Sequence, residues 1–245
     1  MTPATSRTTV LLDALAGYGP FFGCDSHAAG SAVADGWFPL AAFVDDPAAV
    51  HRRVRAVRER LAARHGVAPD AFERRIAVSV CHLGFAARLI SPVLALAALH
   101  DLPVAPRLDT LRMRPASCGT FPLSLPRDLL TGPGVEVEDA ADALVAGVLG
   151  PLGDAFAALS VSRHLLWGNV ASAVGGAVVS LVAAAPERTG PVRAAAAALL
   201  ARPELAGTFA AEQDGGLRRR SCCLYYRASP RAERATAVCG DCVLG

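Results

Sequence analysis

For 21 residues, from Leu165 to Ala185, the chain carries no charged side chain. A run of that length is nominally able to cross a bilayer. Its content argues for another fate, because Gly168, Asn169, Ser172, Gly175, Gly176 and Ser180 interrupt it and the remainder is mostly Ala and Val. The expectation is a helix buried on all sides within a helical core. Composition agrees: 53% hydrophobic residues against 19% charged exclude a disordered chain, and abundant Ala with only 6% aromatics favours packed helices over sheets. At 245 residues the chain makes one good-sized domain, or one with a small appendage, and needs no disulfide staples.

All 24 basic residues are Arg, and Asn and Gln occur once each, at Asn169 and Gln213. A coding sequence rich in G and C is the simplest cause, so arginine abundance says little about function, whereas a lone Asn carries more weight. The net charge of +2 is too balanced for a nucleic-acid-binding surface over the whole molecule. Near the N-terminus Asp13 interrupts the apolar Val10, Leu11 and Leu12, and no export signal is expected. A cytoplasmic chain follows, in which cysteines are thiols or metal ligands rather than disulfides.

Local signals place the helices. Thr8 or Thr9 caps a first one over Val10 to Ala16, and Asp46-Pro47 opens a second to about His65 with Val50, Val54, Val57 and Leu61 on one stripe. The arginines from Arg52 to Arg64 read as its solvated face. A third helix is expected from Asp70 to about Leu89, with Ser91-Pro92 restarting a short one to His100. Prolines 103, 106, 115, 122 and 126 then break any helix, while Leu111 and Met113 alternate with arginines and Leu123 and Leu125 flank Ser124. This spacing predicts a small antiparallel hairpin over about 108–126, turning near Ser117 to Gly119. Helical pattern returns at Glu138–Leu149, Asp154–Leu159, Ser162–Ala185 and Pro191–Ala201. The fold class expected is mainly α with a small antiparallel β-hairpin (α+β), as a helical domain over 1–210 followed by a metal-binding segment over 211–245.

Four of the seven cysteines, Cys222, Cys223, Cys239 and Cys242, fall in the last 24 residues. Chance clustering is a poor explanation. Four thiolates complete either a tetrahedral zinc site or a thiolate-held iron-sulfur cluster. Zinc ribbons separate the ligands of each pair by two or more residues, and Cys222-Cys223 lacks that spacer. Adjacent side chains in extended backbone point apart, which suits a larger cluster better than a single ion. A structural Zn(II) tail on a helical binding protein and an iron-sulfur redox sensor stay open as rivals, and a vicinal disulfide is disfavoured in a reducing compartment.

The arrangement Cys-Cys, spacer, Cys-x-x-Cys, preceded by Arg-Arg-Arg-Ser and followed by Val-Leu, resembles the tail of the FhuF-like siderophore-iron reductases. Ser91 to Ala95 and Leu166 to Ser172 resemble further segments of that family. The resemblance implies that Cys222, Cys223, Cys239 and Cys242 hold a [2Fe-2S] cluster and that the chain reduces Fe(III)-siderophores. One departure is the spacer, 15 residues from Leu224 to Val238 against the family's usual ten or so. The extra length costs only roughly a few tenths of a kcal/mol in closure entropy, so it questions the loop's contacts more than the ligation.

Around that tail, Arg218, Arg219, Arg220 and Arg227 are candidates to offset the cluster's negative charge, against a plain reading as solvated arginines. Arg163, His164, Trp167 and Asn169, at the start of the uncharged helix, are candidate contacts for an anionic chelate, against a core Trp and a capping Asn. Cys24 with His27, Cys81 with His82, and Cys118 read as structural. No glycine pattern matches a dinucleotide or flavin loop, so an external reductase or ferredoxin must supply electrons. A peripheral contact with a membrane transporter at the inner face is compatible with that role.

Overall fold

The computed structural model describes residues 6–116, 120–212 and 216–244. Helix α1 (Arg7–Gly17) is capped by Ser6 rather than Thr8 or Thr9, with the Ser6 hydroxyl accepting the Thr9 N–H at 3.2 Å. Strands β1 (Asp25–His27) and β2 (Phe38–Pro39) and the single turn α2 (Ala42–Asp45) lead to α3 (Pro47–Arg64). There the Asp46 carboxylate accepts the Ala48 N–H at 2.9 Å and Pro47 takes a position whose N–H is not needed.

The third helix differs from its sequence expectation at both ends. It does not begin at Asp70, which lies in a 3-10 turn (Pro69–Ala71), but runs as α4 from Arg74 to Leu99. Arg58 fixes the connecting loop by donating to the carbonyls of Phe72 and Asp70, each at 2.8 Å, which seats Phe72 against Ala62 and Ile76. Nor does Pro92 break the helix. The proline removes one backbone bond, yet Ile90, Leu94, Ala95 and Leu96 around it are fully buried. Packing against the later helices Arg163–Ala184 and Thr189–Leu200 outweighs the local preference.

Beyond α4 come β3 (Arg112–Met113), β4 (Leu123–Pro126) and the short α5 (Arg127–Thr131). The expected antiparallel hairpin is present as β3 and β4, with Arg112 opposite Ser124 and Met113 opposite Leu123. Its turn at Ser117 to Gly119 lies outside the described residues. The hairpin is also the middle of a four-stranded sheet in the order β1-β4-β3-β2, with β1 parallel to β4. Two- and three-residue strands such as β1 and β2 are too short for the alternation that would have revealed them. Buried Arg88 ties α4 to this region, donating to the carbonyls of Phe121 and Phe21 at 2.9 Å each and to that of Gly23.

Helices α6 (Val137–Leu144) and α7 (Gly150–Ala157) join through one π turn (Val145–Leu149), where two separate helices were expected. Pro151 lacks the N–H an α-helix requires, and the widened turn lies just before it. Ser162 caps α8 (Arg163–Ala184) through its hydroxyl and the Leu165 N–H at 3.2 Å; α9 (Thr189–Leu200) follows. A second hairpin, β5 (Phe209–Ala211) and β6 (Leu217–Arg219), was not expected, and it delivers the tail onto α8. The segments Arg74–Leu99, Val137–Ala157 and Arg163–Ala184 are each long and apolar enough to cross a membrane, and here their apolar faces are largely packed inside the protein.

His82 of α4 lies wholly inside, edge-on to Phe156, and burial pushes its imidazole down to about 3. The unfolded chain binds a proton on this group near pH 6.5 and the folded chain does not, so acid favours unfolding throughout the interval between the two values. Stability is expected to fall on acidification below about pH 6.5, with this group contributing up to ~1.4 kcal/mol per pH unit. Urea midpoints at pH 7 and pH 5 should converge in His82→Leu relative to the unmodified chain. Equal pH slopes in the two proteins would contradict it.

Candidate iron-sulfur site

The site grows from the end of β6. The Arg219 backbone N–H donates to the Asp241 carbonyl at 3.0 Å, which clips the last strand to the Cys-Gly-Asp-Cys turn. Between these two points the chain passes Cys222 and Cys223, reverses at Leu224 (φ 68°) and makes 3-10 turns at Tyr225–Ala228 and Arg231–Glu233. The left-handed Leu224 is a strained conformation for a branched side chain. Packing of half-buried Leu224 against the Ala62, Phe72 and Ile76 cluster, and its N–H donated to Cys222 Sγ at 3.3 Å, hold it there. Symmetrically, the Leu244 N–H donates to Cys242 Sγ at 3.4 Å.

The sulfurs come as two couples. Cys223 Sγ and Cys239 Sγ are 3.8 Å apart, and Cys222 and Cys242 interact directly with each other. Two thiolates held ~2.3 Å from one tetrahedral metal lie about 3.8 Å from each other. The first couple therefore fits two ligands of one iron, and the donor set suits a two-iron cluster. Among the described residues no three His, Cys, Asp or Glu side chains converge on a position for a single ion. The Cys223 thiol is drawn down to about 5, first by the hydrogen bond from Cys239, with help from the Tyr225 N–H and Arg219. Cys239 is driven up as the proton holder of that couple.

Of the four candidate arginines, the fold singles out Arg219. Its side chain is 1% exposed. Its guanidinium donates to Cys239 Sγ at 2.6 Å, pairs with the Asp241 carboxylate at 2.9 Å and donates to Asn169 Oδ1 at 3.2 Å. Arg218 pairs with Glu212 at 2.6 Å and reaches the Cys242 carbonyl at 3.3 Å. Arg227 pairs instead with Glu73 at 3.0 Å, and Arg220 is exposed.

The four residues singled out at the start of α8 separate similarly. Asn169 is 0% exposed, and its Nδ2 donates to the carbonyl and hydroxyl of Ser79 on α4 at 3.1 and 3.2 Å. The lone asparagine is thus an inward bridge from α4 to Arg219, with its amide fully engaged. Trp167 is half-buried on the core, Arg163 pairs with Asp154, and exposed His164 accepts from the Ser221 hydroxyl at 3.4 Å through its carbonyl. Cys24 and Cys81 stand apart from the tail, each pushed up to about 12 by burial. His27 is engaged by Ser124 at 2.8 Å. Cys118 lies outside the described residues.

Gly168 was not singled out beyond its motif, yet a Cβ there would collide with Ser221 Oγ, one residue before Cys222. Gly168→Ala is expected to lower the melting temperature of the cluster-loaded protein by a few degrees, roughly 1 kcal/mol. Adding Ser221→Ala should restore most of it, since the remaining neighbour is at 3.5 Å, an ordinary contact. An unchanged melting temperature in Gly168→Ala would remove this close approach from the account.

Compared with known families, residues 219–244 match the family model described as the FhuF 2Fe-2S C-terminal domain. No curated protein matches the chain. The C-terminal segment is therefore of the FhuF 2Fe-2S type, and its cofactor is a [2Fe-2S] cluster.

Proposed function

We propose that this chain is a ferric-siderophore reductase, with Cys222, Cys223, Cys239 and Cys242 as the ligands of its cluster. The observation carrying the proposal is the pairing of these four cysteines, within a matched FhuF-type segment, with a buried arginine on one of the sulfurs. Hard oxygen donors that grip Fe(III) in hydroxamates and catecholates hold Fe(II) far less well, so a single added electron weakens the chelate. When bound, a [2Fe-2S] centre supplies electrons one at a time.

The protein's own groups suit that task. Arg219 places a buried positive charge at Cys239 Sγ, and the Leu224 and Leu244 amides donate to Cys222 and Cys242. Such donors favour the more negative, reduced state. Exposed Val243 and Leu244 follow the last ligand directly, which keeps that end of the tail near solvent and open to an electron donor. The overall step is Fe(III)-chelate plus one electron giving Fe(II) and free siderophore, with a reduced ferredoxin or flavoprotein reductase as the donor class. The cytoplasm fits this donor. Residues 1–210 would act as the helical body and 211–245 as the redox segment.

Dithionite-reduced, desalted protein mixed with a ferric siderophore and a colorimetric Fe(II) trap tests the reading. One Fe(II) per reduced cluster is expected. Reduced protein that delivers none to any ferric hydroxamate or catecholate would leave a redox sensor as the better reading.

A further inference from the structure

The helical body sends a buried polar chain into the redox segment. Arg219 of β6 is a cation only 1% exposed, so its guanidinium needs acceptors on every side. One edge lies on the Asp241 carboxylate, 2.9 Å from Nε and 3.1 Å from Nη2, and Nη2 also donates to Cys239 Sγ at 2.6 Å. The far end, Nη1, donates to Asn169 Oδ1 of α8 at 3.2 Å. Behind Asn169 stands Ser79 of α4, whose carbonyl and hydroxyl accept the amide Nδ2 at 3.1 and 3.2 Å. Ser79 and Asn169 are both 0% exposed, so bulk water does not compete for these groups.

Donor and acceptor types make this chain directional. A guanidinium only donates, which requires Asn169 to turn its oxygen toward Arg219, and the Ser79 carbonyl only accepts, which requires the amide nitrogen on the other side. A flipped amide would set donor against donor at one end and oxygen against oxygen at the other. The guanidinium is planar and rigid, so holding Nη1 at Asn169 fixes the direction in which Nη2 meets the sulfur. Without that hold Asp241 alone anchors the cation, and the cost of an unsatisfied Nη1 drives it from its seat. We infer that Ser79 and Asn169 are positioning residues for the redox centre: they hold the Arg219 charge on Cys239 Sγ and thereby set the centre's reduction potential from the helical body. Charge and hydrogen bonds at the sulfurs are the means by which a protein tunes such a centre. The inference rests on the tail cysteines holding the cluster, as proposed above, and is independent of the siderophore.

Dye-mediated redox titration of the full chain with its cluster, followed by electron paramagnetic resonance, reads this potential. Asn169→Leu keeps a similar volume but offers Arg219 no acceptor, and its midpoint potential should shift negative by about half or more of the Arg219→Met shift. Ser79→Ala removes one of the two acceptors that hold the amide, so a smaller shift of the same sign is expected. Combining Asn169→Leu with Arg219→Met should give the potential of Arg219→Met alone, because Asn169 acts only through the guanidinium. Helix repacking that disturbed the tail by another route would make the two shifts add. A parental potential in Asn169→Leu at parental iron content, or additive shifts, would overturn the inference. Where Asn169→Leu holds no cluster, Ser79→Ala decides by the same criteria, alone and combined with Arg219→Met. Iron retained in full by Cys239→Ser would instead strike the ligand reading beneath the inference, so the two failures are distinguishable.

Discussion

Cys239→Ser is expected to yield a folded but colourless protein, with bound iron lowered more than about tenfold, whereas Cys24→Ser keeps its iron. Cys239 Sγ lies 3.8 Å from Cys223 Sγ and receives the Arg219 guanidinium, so both the couple and its charge partner depend on it. A serine oxygen is a harder donor, held protonated at neutral pH, and cannot replace a thiolate there. Cys24 is half-buried near Arg88 and β1 and keeps its proton well above neutrality. The loss should extend to order in the tail, because metal binding contributes folding free energy to a terminal segment with little core of its own. Iron analysis and limited proteolysis on the two variants check this. Full iron occupancy in Cys239→Ser would remove that residue from the ligand set.

Arg219→Met carries the second large effect. The substitution keeps much of the volume but leaves Asp241, Asn169 Oδ1 and the sulfur of Cys239 without their shared donor. Breaking a buried pair from one side costs about 3–5 kcal/mol, and the partial exposure of Asp241 puts the expectation near the lower end, ~3 kcal/mol. The urea midpoint should fall accordingly. Where the variant still holds its cluster, the midpoint potential should become more negative by roughly 50–100 mV, equivalent to about 1–2 kcal/mol, because a positive charge favouring the reduced state is gone. Asn169→Ala removes one branch of the same network, so the double variant should lose less stability than the sum of the two. An unchanged potential with unchanged stability would reduce Arg219 to a bystander.

Side chains that act on their own backbone were readable from sequence. Asp46 caps α3 as expected because an N-cap bonds within its own turn. Pro92 misled for the complementary reason: its local cost is overridden by neighbours distant in sequence, which bury α4 on several sides. The four cysteines stood out through clustering alone, without any knowledge of the fold. Which of four nearby arginines would matter did not, because the choice depends on the β5–β6 register that turns Arg219 inward and leaves Arg220 outside. Scarcity drew attention to Asn169, but its direction, toward Ser79 and Arg219, is set by helix packing.

Iron and acid-labile sulfide, counted together on anaerobically purified full-length protein, bear most directly on the central claim that the paired tail cysteines hold a two-iron centre. The account predicts two irons and two labile sulfides per chain, as the [2Fe-2S] formula requires, both lost in Cys239→Ser. A stoichiometric zinc ion with no labile sulfide would contradict it.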